Sequence, residues 1–530
     1  MTRHTDSPTD PEEREIAAFL SNPVTYERGV TKVDVVETHI ARVFLAGDEV
    51  YKIKKRVKLP FLDFSTLESR RRAATREIEI NRPHAPELYL GLVPIVRRGS
   101  GQLGLGGAGK IVEWAVHMRR FAEEGVLFRQ AQSGALGDAL ARALADMVAR
   151  YHRNSAIAER CDGERALEPV VRQLTEAFSK KPGDAGASSF ADRLEAVFNR
   201  TAPLLLARGR AGCIRRCHGD LHLGNIVLIE GTPVPFDALE FSETLATIDV
   251  LYDLAFLLMD LDICGDRHAA NIVLNAYVGA APVGGEIEGL ASLPLFLACR
   301  AGVRAVVALA RSAQLEGKER EEQRRSAKHH VGFAAAYLDP PQPLLIAVGG
   351  LSGSGKSTVA ARLASRIGAA PGALHVRSDV ERKRLFGVPE TQRLDRQHYR
   401  IGVAPRVYGM LEDKARRALA AGHSVIVDAV FAKPEERSAI EAVAREAGRS
   451  FAGLWLAAPA ETLIERVEQR RGDASDADRR VVKEQLGYDL GEIGWNVADA
   501  AGSLPHTLDK AGAALADAGV KLAEPARRRP

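Results

Sequence analysis

The sequence predicts two folds in tandem: an α+β segment in which strands lead and helices follow, and then an α/β segment built on a parallel sheet. Three observations predict this. In the first segment, 38–54 and 92–118 read as antiparallel strands, and helical stretches take over from Gly134 onward. In the second, 344–348 and 424–427 are short, apolar and β-rich, with helical patterns between them. Between the two stands Asp339-Pro340-Pro341-Gln342-Pro343, which ends the preceding helical pattern and delivers the chain extended into 344–348. The expected division is 1–336, a proline-rich linker 337–343, 344–520, and a basic tail 521–530. No repeat of fixed period is present.

Composition narrows the classes. A chain of 530 residues predicts two to four domains at roughly 100–200 residues each. With 46% hydrophobic and 27% charged residues it has material for more than one core. Lys plus Arg is 73 and Asp plus Glu is 69, and a net charge of +4 argues against a nucleic-acid coat or a membrane surface. Five cysteines, none in a CxxC pair, support neither a disulfide framework nor an obvious zinc site, so a reducing cytoplasm is expected. No uninterrupted apolar run approaches the ~18 residues of a spanning helix; 251–263 is broken by Asp253, Asp260 and Asp262. Residues 1–15 are polar, with Pro8 and Pro11, and read as a frayed tail rather than a signal peptide. The charge run 314–330 reads as the solvated face of a terminal helix. Oligomeric state is not legible.

Gly350-Leu351-Ser352-Gly353-Ser354-Gly355-Lys356-Ser357 fits G-x4-G-K-[ST], with an apolar strand before it and helical spacing from Thr358 after it. Glycines let backbone N–H groups close around phosphates at a helix N-terminus, where the dipole favours anions. Gly350, Ser352, Gly353, Ser354, Gly355, Lys356, Ser357 and Thr358 are therefore the expected phosphate-binding set, with Lys356 as point charge and the Ser357 hydroxyl as a Mg²⁺ ligand. Asp379 follows a second short strand, at the carboxyl end where open α/β sheets bind ligands. It is placed to take the proton of an attacking hydroxyl, with Arg382 to neutralise charge. Asp428 ends a third strand at the Walker-B-like metal position. Arg466, Arg470 and Arg471 precede a polar loop, 472–478, and read as a lid over the phosphates.

GLSGSGKS, the D-x-x-R of Asp379 and Arg382, IVDA and the arginine lid resemble small-molecule and polynucleotide kinases of the gluconate-kinase and phage polynucleotide-kinase type. Over about 344–515 the resemblance implies ATP-dependent phosphorylation of a hydroxyl.

The first segment carries its own constellation. In Cys217-His218-Gly219-Asp220-Leu221-His222-Leu223-Gly224-Asn225, an Asp can orient and deprotonate an acceptor hydroxyl and an Asn five residues on can hold Mg²⁺. Asp237 stands 12 residues past Asn225, where a second metal ligand belongs, and Asp249 and Asp253 continue the pattern. HGDLHLGN, FDALEF and IDVLYDLA resemble the aminoglycoside phosphotransferase family, whose fold is kinase-like. Lys52 on the alternating strand 50–54 is the expected phosphate-gripping lysine, with Lys54 on the same face as competitor. Glu77 is its expected ion-pair partner, with Glu79 as alternative, and 114–119 is expected to serve as the adenine hinge. The phosphate loop departs from protein kinases, since Thr38-His39-Ile40-Ala41-Arg42-Val43 holds no glycine.

Two patterns are decoys. Gly99-Ser100-Gly101-Gln102-Leu103-Gly104 matches G-x-G-x-x-G, yet no helix follows, so a hairpin loop is expected. Cys213 and Cys217 with His218 and His222 suggest zinc, but Asp220 and Asn225 already account for the histidine spacing.

The combined order, with VYKIKK, FLDFSTLESRR, NRPHAPELYLG and GDASDAD, resembles bacterial proteins described as bifunctional aminoglycoside phosphotransferase and ATP-binding proteins. That implies two ATP/Mg²⁺ phosphotransfer sites acting on small-molecule hydroxyls. Two other readings compete: a ligand-binding pseudokinase regulating one P-loop kinase, and a nucleic-acid 5′-hydroxyl kinase.

Overall fold

The computed structural model describes residues 10–26, 29–38, 40–59, 62–134, 136–159, 163–179, 185–395, 398, 402–470 and 474–524. Of the expectations above, most of the N-terminal tail, His39, residues 471–473 of the lid and 525–530 of the basic tail lie outside the described residues. The chain forms two compact units. One comprises Met1–Ala135, Arg150–Cys161 and Gly212–Leu257; the other comprises Leu136–Ala149, Asp162–Ala211 and Leu258–Pro530. These units divide the chain elsewhere than at the prolines. Prolines end a helix, but which surfaces bury one another decides what packs as one body.

The first unit holds an antiparallel sheet in the order Val33–Glu37, Ala41–Ala46, Glu49–Lys54, Lys110–Arg119, Tyr89–Arg97, Leu103–Leu105. Strand alternation sends Phe44, Tyr51, Ile53 and Ala115 to one face, where Ile16 and Leu20 pack. Those two belong to a helix, Pro11–Ser21, capped by Asp10, whose carboxylate accepts the Glu12 N–H at 2.9 Å. The frayed-tail expectation is thus corrected from Asp10 onward: a cap, a proline in the first turn and two apolar anchors make a docked helix. Val50, Val116 and Met118 point to the other face, against Ala74 of the helix Leu67–Asn81. That helix buries Arg70, Ala73, Ala74, Glu77 and Asn81, one stripe at helical spacing, and so turns charged groups toward the sheet.

The 114–119 hinge expectation is also corrected. Val116 is paired with Lys52 on one side and Leu92 on the other, so this backbone is consumed by the ladder. The 99–104 decoy is a hairpin, with Arg97 opposite Leu103.

The second unit contains a five-stranded parallel sheet in the order Leu374–Arg377, Val425–Asp428, Leu344–Gly349, Ser450–Ala457, Asn496–Asp499. Its three inner strands are near-continuous apolar runs because both faces are covered, while the two edge strands carry polar residues. Ile346, Val348, Ile426 and Leu454 pack with Val359 and Leu363 of the helix Lys356–Ala364. Glu286–Ala313 is long and apolar enough by composition to cross a membrane, yet 61% of its most apolar window is buried inside the fold.

Candidate active sites

In the first unit a chain of alternating charges crosses the sheet face. Lys52 Nζ lies 2.8 Å from Glu77 Oε1 and 2.5 Å from Asp237 Oδ1. Lys54 Nζ lies 2.6 Å from Glu77 Oε2 and also pairs with Glu240. Burial works against the Lys52 charge, but Asp237 and then Glu77 outweigh it and hold its pKa well above the ordinary lysine value. Glu77, fully buried, is kept ionised by its two lysines. Both lysines therefore grip Glu77, and Lys52 is the one that reaches Asp237. Glu79 instead pairs with Arg76 at the surface.

Asp237 is held with φ at +61°, a left-handed conformation that persists where its surroundings impose it. Its N–H donates to the Tyr89 hydroxyl at 3.0 Å, and the Ala238 N–H donates to Asn81 Oδ1 at 2.9 Å. The loop opposite is equally tied down. Asn225 Nδ2 donates to Asp220 Oδ2 at 3.0 Å and to the Asp220 carbonyl at 2.9 Å. Asp253 accepts the His218 and Gly219 N–H groups at 3.1 and 2.9 Å, and its Oδ2 meets His152 Nε2 at 3.1 Å. Ligand atoms of His152, Cys217 and Asp253 lie within 4.8 Å of one another. Asp253 is already bonded to the loop amides, so this trio anchors the loop 217–225.

The P-loop wraps tightly in the second unit. A Cβ added at Gly353 would lie 2.3 Å from the Leu463 carbonyl oxygen, so only glycine fits there. Lys356 is buried at the start of its helix and Thr358 is exposed beside it. Ser357 Oγ donates to Asp428 Oδ1 at 2.7 Å, and Asp428 Oδ2 meets His375 Nε2 at 2.6 Å. Burial alone would raise the Asp428 pKa; His375, then Arg377 and Lys356, hold it below the usual carboxylate value. Burial draws the Lys356 pKa down, opposed by Asp379 and Asp428 and reinforced by Arg470 and Arg377. Asp379 and Arg470 are thus brought to Lys356.

Arg382 donates to the His398 carbonyl at 3.4 Å. Arg466 is bonded to the segment 500–502. Its guanidinium donates to the carbonyls of Ala500, Ala501 and Gly502 at 2.7, 3.4 and 2.8 Å.

The donor sets fit Mg²⁺ and phosphate. Ser357 and Asp428, like Asn225 and Asp237, offer hard oxygens. Ser354 Oγ is buried in the phosphate loop with no hydrogen-bond partner among the described residues. Sequence reading missed Glu240, His375 and Gln485, whose Oε1 accepts the Ser352 N–H at 2.7 Å. His375 and Gln485 lie outside the motifs they serve, whereas Glu240 stands inside FDALEF, where only the aspartate was read.

A family model described as "Phosphotransferase enzyme family" matches residues 67–289, and one described as "AAA domain" matches 345–488. Uncharacterized proteins of Mycobacterium tuberculosis and Mycobacterium bovis are each 31% identical over 472 residues, covering 87% of this chain and 90% of theirs. The chain belongs to the family of these mycobacterial proteins. Like the domain models it matches, this family member joins a kinase-like phosphotransferase domain to a P-loop kinase-like domain. Among solved structures it is similar to a gluconokinase from Sinorhizobium meliloti (25% identity, 33% of this chain and 93% of that one, TM-score 0.24). It is also similar to a choline/ethanolamine kinase family protein from Mesorhizobium loti (15%, 62% and 98%, TM-score 0.37).

Proposed function

We propose that the protein is an ATP-dependent phosphotransferase with two working sites, each transferring the γ-phosphate to a hydroxyl of a small molecule. One observation carries the reading: both sites keep a phosphate-facing lysine, a carboxylate for metal and a second carboxylate for the acceptor. These are Lys52, Asp237 and Asp220 in one, and Lys356, Asp428 and Asp379 in the other. A site kept for binding alone has no use for the third member. Mg²⁺ would be held by Asn225 and Asp237 in the first site and by Ser357 and Asp428 in the second, where it would neutralise phosphate charge. Asp220 and Asp379 each orient a hydroxyl and accept its proton as the phosphorus–oxygen bond forms. Lys52 and Lys356 with Arg470 stabilise charge on the transferring group. A near-neutral net charge favours small acceptors over nucleic acid.

A regulatory first domain is the second reading. It is favoured by the tight turn at Thr38, whose Oγ1 accepts the Ala41 N–H at 2.9 Å, leaving little loop to fold over phosphates. The deciding test is γ-labelled ATP transfer to sugars, sugar acids, aminoglycosides, amino alcohols and oligonucleotides. It is run on the full chain and on its Lys52→Met and Lys356→Ala variants. Two acceptors, each lost in one variant, support two kinases. A single acceptor lost only in Lys356→Ala supports the regulatory reading, and labelling confined to oligonucleotide 5′ ends overturns the small-molecule assignment.

A further inference from the structure

The helix Arg267–Ala280 lies wholly within the stretch matched by the phosphotransferase model, yet it runs along the edge of the P-loop sheet. Leu374–Arg377 is the terminal strand of that sheet, paired only with Val425–Asp428. Such an edge presents N–H and C=O groups that need partners. Asn271 Nδ2 donates to the Ala373 carbonyl at 3.0 Å and Asn275 Nδ2 donates to the same oxygen at 3.2 Å. Asn275 Oδ1 accepts the His375 N–H at 2.6 Å. One side-chain amide thus gives this edge a donor and an acceptor, as the peptide of a further strand would.

The two surfaces are closely fitted. Arg267 donates to the Gly368 carbonyl at 3.0 Å. A Cβ at Gly372 would lie 2.8 Å from Asn271 Nδ2, and one at Gly279 would lie 2.5 Å from the guanidinium of Arg384. Arg384 sits on the helix Ser378–Leu385, which also carries Asp379 and Arg382. The contact leads directly to the metal-binding pair. His375, held at its backbone by Asn275, holds Asp428 through Nε2 at 2.6 Å, and the other oxygen of Asp428 takes the Ser357 hydroxyl at 2.7 Å.

We propose that the helix Arg267–Ala280 is a working wall of the P-loop kinase, and that Asn275 is a positioning residue for Ser357 and Asp428, acting through His375. The inference rests on the P-loop reading above. It gives the fusion a physical reason: the segment from 344 onward lacks the helix that completes its sheet edge. Partners behind a metal ligand typically contribute 10–100-fold to metal affinity; Asn275, one step further back, is expected to contribute about 3–10-fold.

The test uses the full chain carrying Lys52→Met and Asp237→Asn, which remove the first site's lysine and a metal carboxylate, so that Mg²⁺-dependent nucleotide binding reports the P-loop site. The Mg²⁺ concentration for half-maximal binding of a fluorescent ATP analogue is measured, with hydrogen exchange over 374–377 as a second readout. Asn275→Ala should raise that Mg²⁺ midpoint about 3–10-fold and speed exchange at the edge strand, and His375→Ala should raise it about tenfold or more. The double variant should be no worse than His375→Ala, because both act on one path. Asn275→Asp keeps the acceptor for the His375 N–H, should stay within about threefold of the parent, and serves if the alanine variant does not fold. Arg417→Ala, which breaks a surface pair with Glu288, should leave the midpoint unchanged. Faster exchange with an unmoved Mg²⁺ midpoint, or additive effects of the two alanines, overturns the proposal. A parent that binds no analogue at any Mg²⁺ concentration overturns the P-loop reading with it.

Discussion

Lys54 Nζ sits 2.6 Å from Glu77 Oε2, the carboxylate oxygen that Lys52 does not hold. Glu77 therefore stays neutralised when Lys52 turns toward a phosphate. The two lysines should separate by assay. Lys54→Met leaves Glu77 to Lys52 but strands the buried Glu240, and breaking a buried pair typically costs about 3–5 kcal/mol. Lys52→Met leaves Glu77 its second lysine and Asp237 nearly half exposed, so stability should change little while transfer by the first site is lost. Denaturant unfolding alongside phosphotransfer checks both.

Asp220 and Asp237 should also part ways. Asp220→Asn should keep Mg²⁺-dependent ATP binding and lose transfer by roughly 10²-fold or more, since its role falls mainly in the transition state. Asp237→Asn should weaken Mg²⁺-dependent binding as well, because it removes charge from the metal and from Lys52. An Asp220→Asn variant silent in every assay would leave one kinase with a regulatory partner.

In the P-loop site, Asp379→Asn should spare ATP binding and reduce transfer on the order of 10²–10⁴-fold. Arg466→Ala should do the reverse of what a lid arginine does. ATP affinity should hold, and stability should fall by about 1 kcal/mol as the carbonyls of Ala500 and Gly502 lose their donor. Calorimetric ATP titration and thermal unfolding of each variant decide it.

Acid should unfold the second unit early. His423 is fully buried, its Nε2–H donating to the Gly372 carbonyl at 2.9 Å, and burial pushes its pKa down to about 4. The unfolded value is about 6.5. With the folded value depressed, its stabilisation is complete above about pH 6.5 and is lost as pH falls through about 4, a loss of about 3 kcal/mol. Denaturation midpoints between pH 7 and 4 should flatten in His423→Gln. An unchanged slope would show that His423 is not the group responsible.

The sequence by itself determined the parts whose chemistry is written in consecutive residues. GLSGSGKS between an apolar strand and a helical pattern admits one local structure, and the Asp220, Asn225 and Asp237 spacing lies on one continuous loop and hairpin. Lys52 and Glu77 were legible only as choices, each with a rival in Lys54 and Glu79, because the strand period puts both lysines on one face. Only the tertiary structure decided which groups meet from distant segments. That Lys54 shares Glu77 and pairs with Glu240 depends on how the Leu67–Asn81 helix crosses the sheet. Arg466 looks like a lid arginine at helical spacing, but its guanidinium is taken by the carbonyls of Ala500 and Gly502. Prolines at 340–343 mark where regular structure stops, while the edge of the P-loop sheet takes its partner from Asn271 and Asn275, about 100 residues away in sequence. Spacing along a chain encodes local geometry; contacts between remote surfaces follow from shape and from the need to satisfy buried polar groups, and no short pattern records them.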